Sequence, residues 1–472
     1  MELNFSRRRF LGSALSMAGS STLPLLAGLG AVANASAADD YKALVCVFMN
    51  GGNDAYNTVL PTDTESWQSY QRYRNMANVG SIALAAVARP AGVLPITPVA
   101  TQGGRTFALH PQLDGVRTLF EAGRLGIVAN VGPLVQPTSI KEYRNGTAVL
   151  PRELFSHNDQ QSVWQSSKPE GAAFGWGGRI ADLTAGANRN NMFTCISTAE
   201  NAVFVSGKTM TQYQLAAAGV PAVLSMNGTL FGAHNHPLAN IITPSSRNLF
   251  EKEYGAITKR ALESQAVLAD AMAASGGGAI PAPSLYTNPN TGARSINPLA
   301  QQLHTVARVI AARGALGVKR QVFYVSLGGF DTHANQKIRH ADLMARLAHA
   351  MAYFDGVTAS LLGQNMRDRI TTFTASDFGR TLVTNGDGTD HGWGGHHFVM
   401  GGAVKGGNIY GTMPDIGVGH QNDVGGGALL PTQSVDQYGA TLANWFGVPY
   451  AHLENIFPNL RNFGTRVLPF IA

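Results

Sequence analysis

Short apolar runs along the chain alternate with longer segments in which apolar residues recur every three or four positions. Each run is followed by glycine or polar residues, which predicts strands buried on both faces, as in a parallel sheet. The four longer runs are Ala43–Met49, Leu125–Val131, Gln321–Leu327 and Ile370–Ala375. A shorter run, Phe398–Met400, is followed by two glycines and predicts a fifth strand.

The periodic segments between these runs predict helices. Apolar residues at helical spacing mark residues 338–361, and a further helix is predicted over Leu303–Ile310, before the third strand. Alternating strands and helices predict a doubly wound α/β sheet. Residues 199–300 differ, because glycine and proline clusters surround one predicted helix, Lys252–Ala274. We expect this stretch to be a cap-like region inserted over the sheet.

Polar clusters follow three of the predicted strands directly. They are Asn53-Asp54, the Asp331–His333 segment and Asp377. Ligands of an open parallel sheet bind outside the carboxyl ends of the strands, so these clusters should converge. Two histidine-bearing segments are expected to join them, Ser156–Asp159 and Asp390–His397.

Carboxylates and imidazoles without cysteine predict a site for divalent metal ions. Two ions about 4 Å apart need several such ligands, and the clusters supply them. Other interpretations stay open, since Asn53-Asp54 is also typical of a helix cap and Asp331–His333 of a turn. Adjacent strand residues face opposite sides, so at most one of His396 and His397 should face the metals.

Two further residues are candidates for catalysis. Ser156 precedes a predicted helix, Asn158–Gln165, whose N-terminus would attract an anion. A nearby metal would activate its hydroxyl as a nucleophile, although a helix cap is the alternative. Arg380 would hold an anionic oxygen through its guanidinium group, or else form a surface ion pair.

Four blocks of sequence together resemble a known family. The chain is similar to the twin-arginine-exported domain-of-unknown-function family numbered 1501, which is grouped with the alkaline phosphatase-like superfamily. The blocks are Asn50-Gly51-Gly52-Asn53-Asp54, Gly328-Gly329-Phe330-Asp331-Thr332-His333, Ser376-Asp377-Phe378-Gly379-Arg380-Thr381 and Thr389-Asp390-His391-Gly392-Trp393-Gly394-Gly395-His396-His397.

The resemblance implies a three-layer α/β/α fold around a mostly parallel sheet, with two divalent metal ions (Zn, Mg, Mn or Ca) and a serine, threonine or cysteine nucleophile. Two features depart from the superfamily pattern. Phe378 stands where phosphatases have histidine after Asp377, and the spacing of Asp331 and His333 is shorter. The implied metal ligands are Asp54, Asp331, His333, Asp377 and His391, and His396 is a further candidate ligand.

The N-terminus has the pattern of an export signal. Arg7-Arg8-Arg9 precedes an apolar stretch that ends in Ala35-Ser36-Ala37. This order predicts a twin-arginine signal peptide over residues 1–37, with a membrane anchor as the alternative. The mature chain, 38–472, is then expected to be periplasmic or secreted, without stable membrane insertion. The twin-arginine export machinery is an expected partner.

Composition and the absence of several motifs argue against some classes of function. Charged residues form 14% of the chain, the net charge is +6 and no dense basic run occurs, so we expect no nucleic-acid partner. Cys46 lies in an apolar run and is predicted to be a buried thiol, although a bridge to Cys195 stays open. The chain contains no C-x-x-C, P-loop or G-x-S-x-G motif. It also lacks the [C/S]-x-P-x-R motif, which disfavours a formylglycine sulfatase.

The sequence therefore predicts an exported metal-dependent hydrolase or transferase that acts on phosphate or sulfate esters, either small or borne on a polymer. The alternative is a non-catalytic envelope or surface protein that retains the fold and a remnant metal site.

Overall fold

The computed structural model describes residues 40–76, 80–87, 89, 91–219 and 248–472. The signal peptide predicted over residues 1–37 lies outside these ranges, as does part of the predicted cap-like region. Within the described ranges we find no helix with the length and apolar character of a membrane span.

The regular elements alternate along the chain much as the apolar pattern predicts. The strands are β1 (Lys42–Asn50), β2 (Val59–Pro61), β3 (Asn75–Met76), β4 (Gly80–Ser81), β5 (Leu94–Ile96), β6 (Phe107–Leu109), β7 (Leu125–Gly132), β8 (Cys195–Ser197), β9 (Tyr213–Gln214), β10 (Tyr286–Thr287), β11 (Arg294–Ser295), β12 (Arg320–Gly328), β13 (Ile370–Ser376), β14 (Arg380–Thr384), β15 (Thr389–His391), β16 (Gly395–Met400), β17 (Ile409–Tyr410) and β18 (Gln433–Ser434). The α-helices are α1 (Thr64–Arg74), α2 (Asp114–Glu121), α3 (Ile140–Arg144), α4 (His157–Ser166), α5 (Trp176–Thr184), α6 (Leu249–Ala274), α7 (Pro298–Ala311), α8 (Arg313–Leu316), α9 (Gln336–Ala359), α10 (Val435–Phe446) and α11 (Leu453–Ile456).

The central sheet contains nine strands within the described residues, in the order β17-β7-β16-β13-β1-β12-β8-β9, with β18 also paired to β7. In the middle of the sheet β1 pairs in parallel with both neighbours, so that Val47 lies beside Val325 and Thr374. Only β16 among these strands is antiparallel to its neighbours, β13 and β7. The predicted mostly parallel sheet is therefore confirmed.

Burial shows that helices cover both faces of this sheet. Every residue of β1 from Ala43 to Met49 is buried, which requires packing on each side of the strand. On one face Leu44, Cys46 and Phe48 join a cluster with residues of α4, α5, α10 and α11. Helix α9 packs against both α2 and α7, and α7 also packs on β12. The predicted α/β class with three layers is confirmed.

The last predicted strand begins earlier than its apolar run indicates. β16 starts at Gly395, three residues before Phe398, and includes His396 and His397. His397 pairs with Val128 of β7, and both histidines are only 3% exposed. Backbone pairing does not depend on side-chain polarity, so the hydrophobic pattern could not reveal this start.

The described parts of residues 199–300 contain separate small elements. β9 extends the edge of the central sheet next to β8, while α6 packs against α7 and α8. The β10–β11 hairpin pairs Tyr286 with Ser295. Their role as a cap stays a prediction.

The two cysteines are buried free thiols, as predicted for Cys46. Burial raises the pKa of both Cys46 and Cys195, so neither thiol ionises readily at neutral pH. The bridge that the sequence left open is not formed.

Candidate metal centre

Asp331 and Asp377 flank the end of β1, where three neighbouring parallel strands finish. The backbone N–H of Gly51 donates to Asp377 Oδ1 at 3.0 Å. Gly51 has φ +116°, and a Cβ atom there would lie 2.3 Å from the backbone nitrogen of Asp331. A glycine is thus required for the β1 loop to pass so close to Asp331.

Three imidazoles converge on the Asp331 carboxylate. His333 Nε2 lies 3.1 Å and His391 Nε2 3.5 Å from Asp331 Oδ1, and His157 Nε2 lies 3.7 Å from Oδ2. The Nε2 atoms of His333 and His391 are 2.9 Å apart. Ligand atoms of His157, Asp331 and His391 all lie within 4.8 Å of one another. The segment after β12, the end of β15 and the start of α4 therefore meet at one point.

Two of these imidazoles, those of His157 and His391, have a hydrogen-bond acceptor at their other nitrogen. Nδ1 of His157 lies 2.7 Å from Asp377 Oδ2, and Nδ1 of His391 lies 2.8 Å from the carbonyl oxygen of Phe155. Since both partners are acceptors, Nδ1 carries a proton in each case, and Nε2 is the nitrogen that faces Asp331. Such an outer acceptor is the usual orienting partner of a metal-bound histidine.

The backbone at Phe155 is held in an unusual conformation. Its φ is +70°, which is uncommon for a bulky side chain. Its carbonyl oxygen is the acceptor for His391, so the strained backbone contributes directly to the orientation of that imidazole. Strain of this kind concentrates at functional sites.

Charge reinforces the cluster. Partial burial opposes ionisation of Asp331, but the Arg380 guanidinium and the imidazoles outweigh it and lower the pKa of Asp331. The hydrogen bond to Asp377 raises the pKa of His157, whereas partial burial lowers the pKa of His391. Asp331 thus stays ionised at neutral pH.

A buried chain of hydrogen bonds fixes the direction of Asp331. Arg380 donates through Nη1 to Asp331 Oδ1 at 3.1 Å and through Nε to Thr389 Oγ1 at 3.0 Å. The Thr389 hydroxyl donates to Gln336 Oε1 at 2.6 Å, and the Gln336 amide donates to Asp54 Oδ2 at 2.5 Å. Arg380, which the sequence predicts to hold an anionic oxygen, is only 1% exposed. In the structure its guanidinium group positions Asp331.

Asp54 occupies a different environment from the other predicted ligands. Its carboxylate forms a bidentate pair with Arg74, at 2.5 and 2.9 Å, and accepts from the backbone N–H of Tyr56 at 3.1 Å. Burial opposes the charge, but Arg74 outweighs it and lowers the pKa of Asp54. The helix-cap alternative describes the Tyr56 contact, since Asp54 caps the short 3-10 helix Ala55–Asn57. Its metal-ligand role stays a prediction.

Ser156 and His396 lie on elements adjacent to the cluster. The Ser156 hydroxyl donates to Asp159 Oδ2 at 3.0 Å and does not cap α4, although the residue stands at its N-cap position. His396 Nδ1 accepts from the backbone N–H of Asn130 at 3.1 Å, while His397 packs against Trp164 with ring centroids 4.6 Å apart. The adjacent histidines thus have different surroundings, and the roles predicted for Ser156 and His396 stay predictions.

His157 belongs to this centre but is absent from the set of metal ligands that the sequence predicts. The sequence shows it beside Ser156 in a polar segment, but that segment follows no predicted strand. Its position opposite Asp377, 220 residues away in sequence, depends on the packing of α4 against β13.

The donor set fits a divalent metal ion. A metal ion beside the Asp331 carboxylate would be bound through the Nε2 lone pairs of the imidazoles in their neutral form. His157, His391 and Asp331 supply two nitrogen donors and one carboxylate within 4.8 Å of one another, and His333 Nε2 lies 3.1 Å from the same carboxylate. Imidazole and carboxylate ligands together suit zinc, manganese or iron. The residues present therefore fit the metal that the resemblance implies.

The chain matches the model of a protein family. The model described as protein of unknown function, DUF1501, matches residues 41–432. The chain belongs to the DUF1501 family. No curated protein matches the sequence significantly.

Some solved structures are similar at low identity. One is Ps i-CgsB in complex with k-i-k-neocarrahexaose, with 10% identity, a TM-score of 0.35, and coverage of 90% of this chain and 75% of that one. A protein of glycosaminoglycan metabolism from Bacteroides thetaiotaomicron has 9% identity, a TM-score of 0.34, and coverage of 89% and 74%. A protein described as a 2-O GAG sulfatase has 11% identity, a TM-score of 0.29, and coverage of 89% and 74%. Scores this low do not establish a relationship in function.

Proposed function

We propose that this DUF1501 protein is an exported, metal-dependent hydrolase or transferase that acts on phosphate or sulfate esters. The observation that carries the proposal is the convergence of three imidazoles on Asp331, with Asp377 and the Phe155 carbonyl orienting two of them. The resemblance to the alkaline phosphatase-like superfamily supports an anionic ester as substrate. Export and a periplasmic or secreted location are supported by the N-terminal pattern.

His157, Asp331, His333 and His391 would hold the first metal ion, which as a Lewis acid would neutralise charge on the ester oxygens. Imidazole-rich ligation favours zinc or manganese over magnesium or calcium, which prefer oxygen ligands. A second ion, with Asp377, Asp54 or His396 among its ligands, stays a prediction.

The chain itself would supply position and proton transfer. Arg380 keeps Asp331 in place through a part-buried contact at 3.1 Å. Ser156 is the proposed nucleophile, and its hydroxyl proton points to Asp159 Oδ2, 3.0 Å away. This carboxylate would accept the proton as Ser156 attacks phosphorus or sulfur. The ester oxygen would leave as an alcohol that takes up the proton held by Asp159, and water or a second alcohol would then release the phosphate or sulfate group from Ser156.

Metal analysis of the purified mature protein tests the metal site. We expect about one or more equivalents of zinc or manganese in the wild type, and loss of at least one equivalent in His391→Ala and His157→Ala. His452→Ala is the matched control, because His452 is exposed and lies outside the cluster. Less than about half an equivalent in reconstituted wild type would overturn the site.

Activity separates the enzyme from the non-catalytic alternative. The panel comprises an aryl phosphate, a phosphodiester, a phosphonate and an aryl sulfate, each tested with wild type, His391→Ala and Ser156→Ala. Hydrolysis by wild type that both variants abolish supports the proposed enzyme. Metal binding without turnover of any substrate would favour the envelope or surface protein.

A further inference from the structure

A polar cleft of about 320 Å³ lies directly beside the metal centre. Its walls hold five amide side chains and two carboxylates, those of Glu170 and Glu200. The cleft contains no lysine, arginine or histidine among the described residues that line it. The five amides belong to Asn50, Asn158, Gln161, Gln165 and Asn201.

Three of these amide residues connect the cleft to the metal centre. Gln161 Nε2 donates to Asp377 Oδ2 at 2.8 Å, the same oxygen that orients His157. Asn158 follows His157 at the start of α4, and Asn50 ends β1 immediately before Gly51. A substrate held at the metal centre would therefore extend into this cleft.

The lining selects against charge and in favour of hydroxyl groups. An anion would meet Glu170 and Glu200 with no cation in the wall, so the ester anion belongs at the metal centre. Amide side chains both donate and accept, and carboxylates accept, which matches hydroxyls that do both. Tyr324 lines the floor but is 1% exposed, so it offers no open ring face on which a nucleobase could stack.

We propose that this cleft binds a sugar ring, so that the substrate is a phosphate or sulfate ester of a carbohydrate. This inference rests on the proposed function and names its substrate class. A second cleft of about 380 Å³ shares Asn201 and Val203 with the first and is lined further by Ser206, Thr211 and Gln212. The second cleft is also polar and has no cationic side chain among its lining residues, which fits an oligosaccharide rather than a single sugar.

The test measures binding of neutral sugars, which carry no ester group. Saturation-transfer NMR and calorimetry are run on the mature protein with lactose, cellobiose, maltotriose and xylotriose as probes. We expect at least one probe to bind, and Asn158→Ala and Glu200→Ala to weaken its binding about threefold to tenfold, as for the loss of one or two hydrogen bonds. Both side chains are exposed, so neither change threatens folding.

Two controls separate this inference from the proposed function. Asn191→Ala removes an exposed amide outside the cleft and should leave sugar binding unchanged. His391→Ala should lose metal but keep sugar binding. Binding of no probe, or equal binding by wild type, Asn158→Ala and Glu200→Ala, would overturn the sugar cleft. Sugar binding by a wild type that holds no metal and hydrolyses no ester would overturn the proposed function alone.

Discussion

Replacing Asp377 with asparagine tests the metal centre most sharply, because all of its described side-chain contacts are with donors. His157 Nδ1 and Gln161 Nε2 donate to Oδ2 at 2.7 and 2.8 Å, and Gly51 N donates to Oδ1 at 3.0 Å. Asparagine has one acceptor oxygen, so its NH₂ group must face either Gly51 or the other pair. Facing His157, it would turn Nδ1 into an acceptor and move the proton to Nε2, which removes the metal-binding lone pair.

The size of the effect follows from these two orientations. Loss of a carboxylate behind a metal-bound histidine costs about 10–100-fold in metal affinity, or roughly 1.4–2.8 kcal/mol. If the amide nitrogen instead faces Gly51, the imidazole keeps its tautomer but loses the negative partner that strengthens it. Asp377 is 0% exposed, so the opposed N–H groups would then also lower the free energy of unfolding by about 1–3 kcal/mol.

Zinc affinity is measured by competition with a chromophoric chelator, and stability by urea unfolding of the same apo preparations. Asp182→Asn is the matched control, because Asp182 also accepts from several donors, in the loop containing Lys208 and Thr209. The control should lose stability without losing zinc affinity. Wild-type zinc affinity together with wild-type stability in Asp377→Asn would refute the proposed role of His157.

Two further predictions concern buried carboxyl groups outside the cluster of His157, Asp331 and His391. Arg74→Met should lower the free energy of unfolding by about 3–5 kcal/mol, because it leaves the Asp54 carboxylate buried and unpaired. Adding Asp54→Asn to Arg74→Met should recover much of that loss in urea unfolding; a loss below about 1 kcal/mol in the single variant would contradict the buried pair. Burial raises the pKa of Asp436 from 3.8 to about 6, so the folded state binds a proton that the unfolded state releases. Its stabilising contribution is complete below pH 3.8 and is lost as the pH rises to about 6, so wild type should lose stability relative to Asp436→Asn across that window. A pH-independent difference in unfolding free energy would contradict the raised pKa.

The sequence by itself determined the sheet and the edge at which the site lies. Short uninterrupted apolar runs such as Ala43–Met49 have no polar face, so the strands that they form must be covered on both sides. Polar residues that directly follow such strands must then emerge at one edge, which brings Asp331 and Asp377 close together. These features depend on the local hydrophobic pattern and on the direction of the chain, and both can be predicted from the sequence.

Only the tertiary structure decided which side chains complete the centre. His157 faces Asp377 because α4 packs near the end of β13, and no local pattern specifies that contact. Asp54 follows a strand as Asp377 does, yet it points to Arg74 of α1, whose guanidinium is buried with it. The hydrophobic pattern predicts where a residue lies relative to a strand. The direction of a buried carboxylate depends instead on which charged group the folded chain brings beside it.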